Sequence, residues 1–333
     1  MSTDAATARD DRPAIDVVIV NWNSGDFLRR CLASIADCVT PGLVRVIVVD
    51  NASSDDSMER LPFLPGMVAR RNDENAGFAR ACNQGAACGS APVVLFLNPD
   101  TVVRAGALER VAAFLAPDAN RRFGICTVQL RGDDGDVARN TSRDPRPRDI
   151  LLRSVFLDRL APRLAPPHFV TDWDHRDSRV VDQIMGAFYA IRRPLFEQLG
   201  GFDERFFVYY EEVDLTVRAR QAGSDVFYIA DTHVVHTGCG TTDSVRAMRQ
   251  FYVSRSRLLY AAKHFGGLGT AAAWLATLVL EPAARSAGFL VRGDWSSVRE
   301  TVRAAGMLWA ALPLSRSTPR AAAPAVAGIP ADN

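Results

Sequence analysis

Val93-Val94-Leu95-Phe96-Leu97-Asn98-Pro99-Asp100-Thr101 is the stretch on which the reading of this chain turns. Five apolar residues in a row have the length and character of a buried strand, and they run straight into a polar hook. A strand interior has no use for Asn or Asp, so Asn98-Pro99-Asp100 points to a need beyond the strand's end. One carboxylate on a turn is ordinary. A metal site would require further ligands from elsewhere in the chain.

Upstream of the hook, strand and helix patterns alternate. Ile15–Asn21 is a β-branched run, 25–36 carries apolar residues at helical spacing, and 43–50 is a second strand. Residues 53–60 open with Ser and Asp residues suited to capping a helix, Val68–Arg71 is a shorter strand, and 77–89 predicts a small-residue helix lying close to a sheet. Strand–helix repeats of this length predict an α/β fold, with a mostly parallel sheet sandwiched by helices. Ligands of such sheets sit beyond the carboxyl ends of the strands. The polar punctuation falls there: Asn21-Trp22-Asn23, Asp50-Asn51-Ala52-Ser53 and Asn98-Pro99-Asp100.

Composition narrows the class. The 333 residues can bury a large core, and 48% hydrophobic content with 23% charged is ordinary for a globular protein. A net charge of +1 excludes a general nucleic-acid binder, which needs broad phosphate-neutralising charge. Every basic residue but Lys263 is an arginine, a bias that implies no mechanism by itself. The six cysteines show no C-x2-C spacing and read as small core residues in a reducing compartment. The start, MSTDAATARDDRP, is polar and lacks the apolar core of a signal peptide, which predicts a cytoplasmic protein.

Between about 130 and 180, Pro, Arg and Asp dominate, and the pattern predicts a long loop over one face. A strand over 181–192 with small residues at Gly186-Ala187 follows, then a helix over 194–199 ending at Gly200-Gly201 and a strand over 225–229. In YYEEVDLTVR, Glu211, Glu212 and Asp214 are three candidate general bases. Asp214 and Arg218 are spaced for an i, i+4 ion pair. Glu211 shares their side of the helix, and Glu212 points about a quarter-turn away.

The series VNWN at 20–23, VVDNASSDDS at 48–57, NAGFARACNQG at 75–85, LFLNPDT at 95–101, GAFYAIRR at 186–193, GGFDERFFVYYEEVDLTVR at 200–218 and VVHTGCG at 234–240 stands in one order. Together these motifs resemble the inverting GT-A glycosyltransferases of family 2, most closely the rhamnosyltransferase-like branch. The resemblance spans roughly 15–265. It implies a GT-A fold with a catalytic domain at 14–242, of which about 14–130 serves the donor and about 180–242 the acceptor. A helical extension at 243–312 would follow, with unstructured ends at 1–13 and 313–333.

The resemblance also assigns roles. Asp50 would take the N3–H of a uracil or thymine ring of a dTDP- or UDP-sugar. Asn75 and Gly77 would open a helix whose free N–H groups favour the donor's phosphates. Asn21, Asn23, Asn51, Ser53, Asn83, Asn98 and Gly186 complete the nucleotide-sugar set. Asp100 and His236 would hold a divalent cation, Mg2+ or Mn2+, suited to oxygen and imidazole ligands. Asn98 stands where the family's D-x-D motif has its first Asp, so one carboxylate is missing from the cation's ligands. Glu212 falls at the position of the family's base, with Glu211 and Asp214 as supporting acids. His233 has no such counterpart and reads as a strand-flanking residue.

From residue 241 onward, eleven Arg/Lys stand against five acids. The uncharged run 265–280 is 16 residues, short of the 18 or more of a spanning helix, and Glu281-Pro282 follows it. Helices over 243–264, 265–291 and 295–312 are expected to pack on the domain, as a peripheral contact with an anionic membrane at the inner face of the cell membrane or as part of a homodimer. Such an end suits a lipid-linked or polysaccharide acceptor. A nicotinamide-dependent dehydrogenase would need G-x-G-x-x-G after its first strand, where this chain has VNWNSGDF. A catalytically inactive sugar-nucleotide-binding protein of the same fold is the alternative that the retained Asp100, Glu212 and His236 argue against.

Overall fold

The computed structural model describes residues 13–116, 119–238 and 246–314. The unstructured ends expected for the chain therefore lie, for 1–12 and 315–333, outside the described residues, as does the boundary at 242/243. The strands, in chain order, are β1 (Ile15–Asn21), β2 (Val44–Asp50), β3 (Val68–Arg71), β4 (Val93–Leu97), β5 (Thr101–Val102), β6 (Phe123–Arg131), β7 (Val137–Ala138), β8 (Thr141–Ser142), β9 (Arg179–Val181), β10 (Gln183–Ile184), β11 (Phe188–Arg192) and β12 (Asp225–His236).

The main sheet has the order β3-β2-β1-β4-β11-β6-β12-β5. Its first four strands are parallel. β11 then enters antiparallel to both β4 and β6, while β6 and β12 run parallel. Alternation within the strands explains why they are apolar throughout. Ile15, Val17 and Ile19 pack with the helix Asp26–Cys38 on one face, through Leu28, Leu32 and Ile35. Val18 and Val20 pack on the other with Ala79, Ala81 and Cys82 of the helix Phe78–Ala87. Both faces are covered, so neither set of side chains meets water. The small residues of 78–87 are required by contact: a Cβ on Gly85 would lie 2.4 Å from Val18 Cγ1.

Four local expectations are corrected. Residues 53–60 form no helix, because side chains take the backbone donors first. Asn23 Oδ1 accepts from the Ser54 and Asp55 N–H groups, and Asp55 carboxylate oxygens accept from Gly25 and Ser57 N–H. The 130–180 region is not a bare loop. It carries β7, β8, β9 and the helices Pro147–Ser154 and Leu157–Leu160, and part of it is gathered around buried His175, whose carbonyl accepts from Gln129 and Tyr228. The 181–192 strand is broken into β9, β10 and β11, with Gly186 in the break. The 225–229 strand continues to His236, with its register shifting between Ile229 and His233.

The C-terminal helices are Arg246–His264, a long helix over Gly267–Val291, and Trp295–Ala310. The long helix runs through Pro282, as the expected span of 265–291 requires. A π-helical turn at Ala276–Leu280 shifts the hydrogen-bond ladder just before the proline, whose missing N–H is thereby absorbed. The helix reaches 25 residues at a mean hydropathy of 1.2, enough by length and composition to cross a membrane. Glu281 within it is buried against Arg257 and Arg285.

Two glycines give the packing a direct test by urea unfolding. Gly85→Ala would overpack the Val18 contact and cost about 1–3 kcal/mol. Gly306→Ala, in the exposed interior of Trp295–Ala310 with open space around it, would gain roughly 0.5–1 kcal/mol. Equal stability of the two variants would contradict the close helix–sheet contact.

Candidate active site

Parallel register sets the donor end. Asn21 of β1 lies level with Asp50 of β2, so both strands stop at the same edge. Asn21 is fully buried, and its amide donates to Asp50 Oδ1 at 2.9 Å, Ser53 Oγ at 3.0 Å and Ser57 Oγ at 2.8 Å. Its Oδ1 accepts from Ser24. Asn21 therefore holds Asp50 in place, with both polar atoms of its amide bonded within the protein. Asn23 is committed in the same way to the 53–55 loop, and Ser53 Oγ accepts from Asn21 and from the Asn23 N–H. Asp50 itself keeps Oδ2 clear of these bonds, 3.7 Å from Arg71 Nε of β3.

The next loop shows the same pattern. Asn51 is buried, donates to Asn75 Oδ1 and the Gly77 carbonyl, and accepts from Asn72 and the Ala76 N–H. Asn75 Oδ1 also accepts from the Gly77 N–H at 3.0 Å. Gly77 has φ +87°, and a Cβ there would lie 2.7 Å from the Phe207 carbonyl oxygen. That carbonyl takes the Phe78 N–H at 2.6 Å, so the first donor of the helix serves the protein and not a phosphate. Asn83 is likewise turned inward: it accepts from the Phe202 N–H and donates to the Phe202 carbonyl and Glu204. Its place is under the Gly200-Gly201 turn, where a Gly201 Cβ would meet Asn83 Oδ1 at 2.7 Å.

The hook after β4 is drawn together with a segment far along the chain. β5 pairs antiparallel with the end of β12, placing His236 opposite Thr101. The Thr237 N–H donates to the Asp100 carbonyl at 3.1 Å. His236 Nε2 then lies 3.3 Å from Asp100 Oδ1, with both side chains slightly exposed at 14% and 12%. Two ligands at right angles on an ion with bonds near 2.1 Å stand roughly 3 Å apart, so the pair fits a small divalent cation. No group of three or more His, Cys, Asp or Glu gathers for a metal among the described residues. The remaining positions would thus fall to phosphate or water oxygens. Asn98 holds the hook by its backbone: its N–H donates to the Ala187 carbonyl and its carbonyl accepts from Thr101.

Ala187 adjoins Gly186, and Gly186 faces Glu212. A Cβ on Gly186 would lie 3.8 Å from Glu212 Cγ, so the glycine leaves the space before this carboxylate open. Glu212 belongs to the helix Glu211–Gln221, whose entry is strained: Tyr209 and Tyr210 both adopt positive φ, +69° and +70°. The sequence carries no sign of this conformation. It sets the helix start so that Glu211 and Asp214 are buried while Glu212 is partly exposed, the division that the helical spacing predicts. Glu211 Oε2 and Glu212 Oε2 are buried and accept no hydrogen bond within the protein. Burial pushes both carboxyls above their ordinary range, and the charge of Glu212 raises Glu211 further.

Asp214 is a different kind of group. Burial alone would raise it, but His264, Lys263 and Arg218 hold it below the usual carboxylate range. The predicted pair with Arg218 forms at 2.8 Å, and Lys263 Nζ and His264 Nε2 each lie 2.7 Å from Asp214 Oδ1. Lys263 also reaches Asp203 at 2.7 Å. The only lysine of the chain therefore bridges the helix Glu211–Gln221 and the helix Arg246–His264, a role its rarity alone did not reveal.

This sheet order, with helices on both faces, is that of the GT-A fold. The fold is shared with the mannosyltransferase PcManGT from Pyrobaculum calidifontis, solved in complex with GDP-Man and Mn2+, at a TM-score of 0.53 and 17% identity over 90% of this chain and 87% of that one. The profile described as glycosyl transferase family 2 matches residues 16–199, more than half of the chain, and the chain belongs to that family. Among curated relatives, the N-acetylglucosaminyl-diphospho-decaprenol L-rhamnosyltransferase of Mycobacterium tuberculosis is 27% identical over 269 residues, covering 76% of this chain and 85% of that protein. Rhamnosyltransferase WbbL of Escherichia coli K12 is 26% identical over 143 residues, covering 43% of this chain and 51% of its own.

Proposed function

We propose that this glycosyltransferase moves a sugar from a nucleotide-diphosphate donor, dTDP-rhamnose in preference to a UDP-sugar, onto a lipid-linked or polysaccharide acceptor. The transfer inverts the anomeric carbon in a single displacement. The observation that carries this reading is Glu212, a carboxylate whose Oε2 is buried and unpartnered and which faces Gly186 next to the turn that anchors Asn98. Such a group is free to accept the proton of an attacking hydroxyl. The mycobacterial relative, named for L-rhamnosyl transfer to a decaprenol-linked sugar diphosphate, supports both the sugar and the acceptor class.

Each residue then has a distinct task. Asp50, oriented by Asn21, accepts the N3–H of the thymine or uracil ring. Asp100 and His236 would hold Mg2+ or Mn2+, which when bound offsets the charge of the departing diphosphate. Burial and the charge of its neighbour raise the Glu211 carboxyl, so a second negative charge beside Glu212 is disfavoured. Asp214 keeps the helix docked and takes no part in proton transfer. The donor half, about 14–130, meets the acceptor half, about 180–242, at Asn98 and Ala187.

The C-terminal helices are proposed to rest on the inner face of the cell membrane, where a lipid-linked acceptor would be presented. Leu268, Leu275, Val291, Trp295 and Trp309 are each more than half exposed on them. Apolar and Trp side chains of this kind, with arginines nearby, suit an interfacial helix.

Four measurements test these assignments. Glu212→Gln is expected to abolish transfer and leave donor affinity nearly unchanged; turnover above roughly a tenth of wild type would remove Glu212 from the role of base. Because a base must be ionised and burial raises this carboxyl, the acid limb of the kcat/KM profile is expected above the ordinary glutamate value of 4.5. Thermal shifts with UDP-, GDP- and dTDP-sugars, with Mn2+ or Mg2+ and with EDTA, are expected to favour the dTDP-sugar and to need the cation. A preference for GDP would overturn the part given to Asp50. Sedimentation with anionic vesicles is expected to be salt-sensitive, and no binding at low salt would refute the membrane contact.

A further inference from the structure

The side of β12 turned away from His236 carries a feature that sugar transfer does not use. In the antiparallel ladder His236 pairs with Thr101 and Val235 with Val102, so these two pairs face opposite sides of the sheet. Val235 is also level with Arg131 of β6. Val102, Val235 and Arg131 thus form a row across three strands, and His233 shares the face of Val235. This row floors an open cavity of about 250 Å³ that Arg30 and Arg104 also line. Its size is below the roughly 300–1,000 Å³ of pockets that hold drug-sized ligands, and it suits a small headgroup more than a nucleotide sugar.

Its charge is one-sided. Arg30, Arg104 and Arg131 form no ion pair among the described residues, and Arg131 gives one hydrogen bond, from Nε to Gln129. Other arginines of the domain behave otherwise: Arg110 pairs with Asp231, and Arg192 caps the carbonyls of Leu115, Ala116 and Ala119. The single acid on the lining, Asp133, already accepts a hydrogen bond from Thr237 at 3.2 Å. Burial lowers the affinity of His233 for a proton, and Arg131 and Arg104 lower it further, as expected inside a positive potential. Three guanidinium groups around one cavity repel one another unless an anion joins them, and their planar donor forks match phosphate oxygens.

We propose that this cavity is an anion site, separate from the donor site across β12, that binds a phosphate or diphosphate group. The group could be supplied as a free anion or as the headgroup of a prenyl diphosphate. The site does not depend on the reading of Glu212 or of the donor.

Calorimetric titration of the full chain with inorganic diphosphate, in EDTA, tests the proposal. Wild type is expected to bind one diphosphate, and Arg104→Gln and Arg131→Gln are each expected to weaken it at least tenfold. His236→Ala is expected to bind as wild type does. Arg104 is exposed, so its variant tests the site without a burden on folding. The proposal is overturned if no binding is detected at millimolar diphosphate, if both arginine variants bind as wild type, or if His236→Ala loses as much as they do, since the anion would then sit at the donor site. A short prenyl diphosphate in a parallel titration separates the two sources: binding tighter than inorganic diphosphate assigns the site to a lipid headgroup, and equal binding assigns it to a free anion.

Discussion

Asp214 is fully buried, and a carboxylate in that position is costly unless cations and hydrogen bonds surround it. Here Arg218 comes from its own helix, and Lys263 and His264 come from the end of Arg246–His264. Arg218 also donates to the carbonyls of Leu199 and Gly201, which binds the preceding turn into the same cluster. The helix that carries Glu212 is therefore not positioned by the sheet alone. It is clamped between the Gly200-Gly201 turn and the C-terminal helices. Ser256 adds a hydrogen bond to the Val208 carbonyl, and Arg255 one to the Arg205 carbonyl. The strained tyrosine pair at the helix entry is thus held on both sides, which is what a persistent left-handed conformation requires.

How much of this was legible depended on whether the signal was periodic. Buried strands and amphipathic helices announce themselves through apolar spacing, and the parallel half of the sheet follows from them. Residues 53–60 failed because capping residues in such number compete with the backbone for its donors. The 130–180 region failed because its order comes from distant partners: Gln129 and Tyr228 fasten the His175 carbonyl from two different strands. The helix over 265–291 was legible in its apolar length, whereas the π-helical turn that lets it run through Pro282 was not.

The site shows the same division. Asp100, His236 and Glu212 could be named from motifs, and the structure brings the first two within 3.3 Å and sets the third beside Gly186. The asparagines could not be sorted in this way, since an amide that touches a ligand and one that ties two loops look alike in sequence. Asn21, Asn51 and Asn83 each bond two segments together within the protein. Their buried amides fix loops that present Asp50, Gly77 and the Gly200-Gly201 turn. Polar punctuation at strand ends marked the right region and did not say which groups face outward.

The distribution of basic residues has a practical outcome. With arginine used almost everywhere, Lys263 is the sole side-chain amine in the chain, and it sits between Asp203 and Asp214. Amine-selective chemistry therefore has a single internal target, located at the joint between the helix that carries Glu212 and the C-terminal helices. An ammonium held by two carboxylates is a poor nucleophile, so acylation of Lys263 would follow opening of that joint. One mass increment on one peptide would then report the docking of the C-terminal helices directly, with no engineered label.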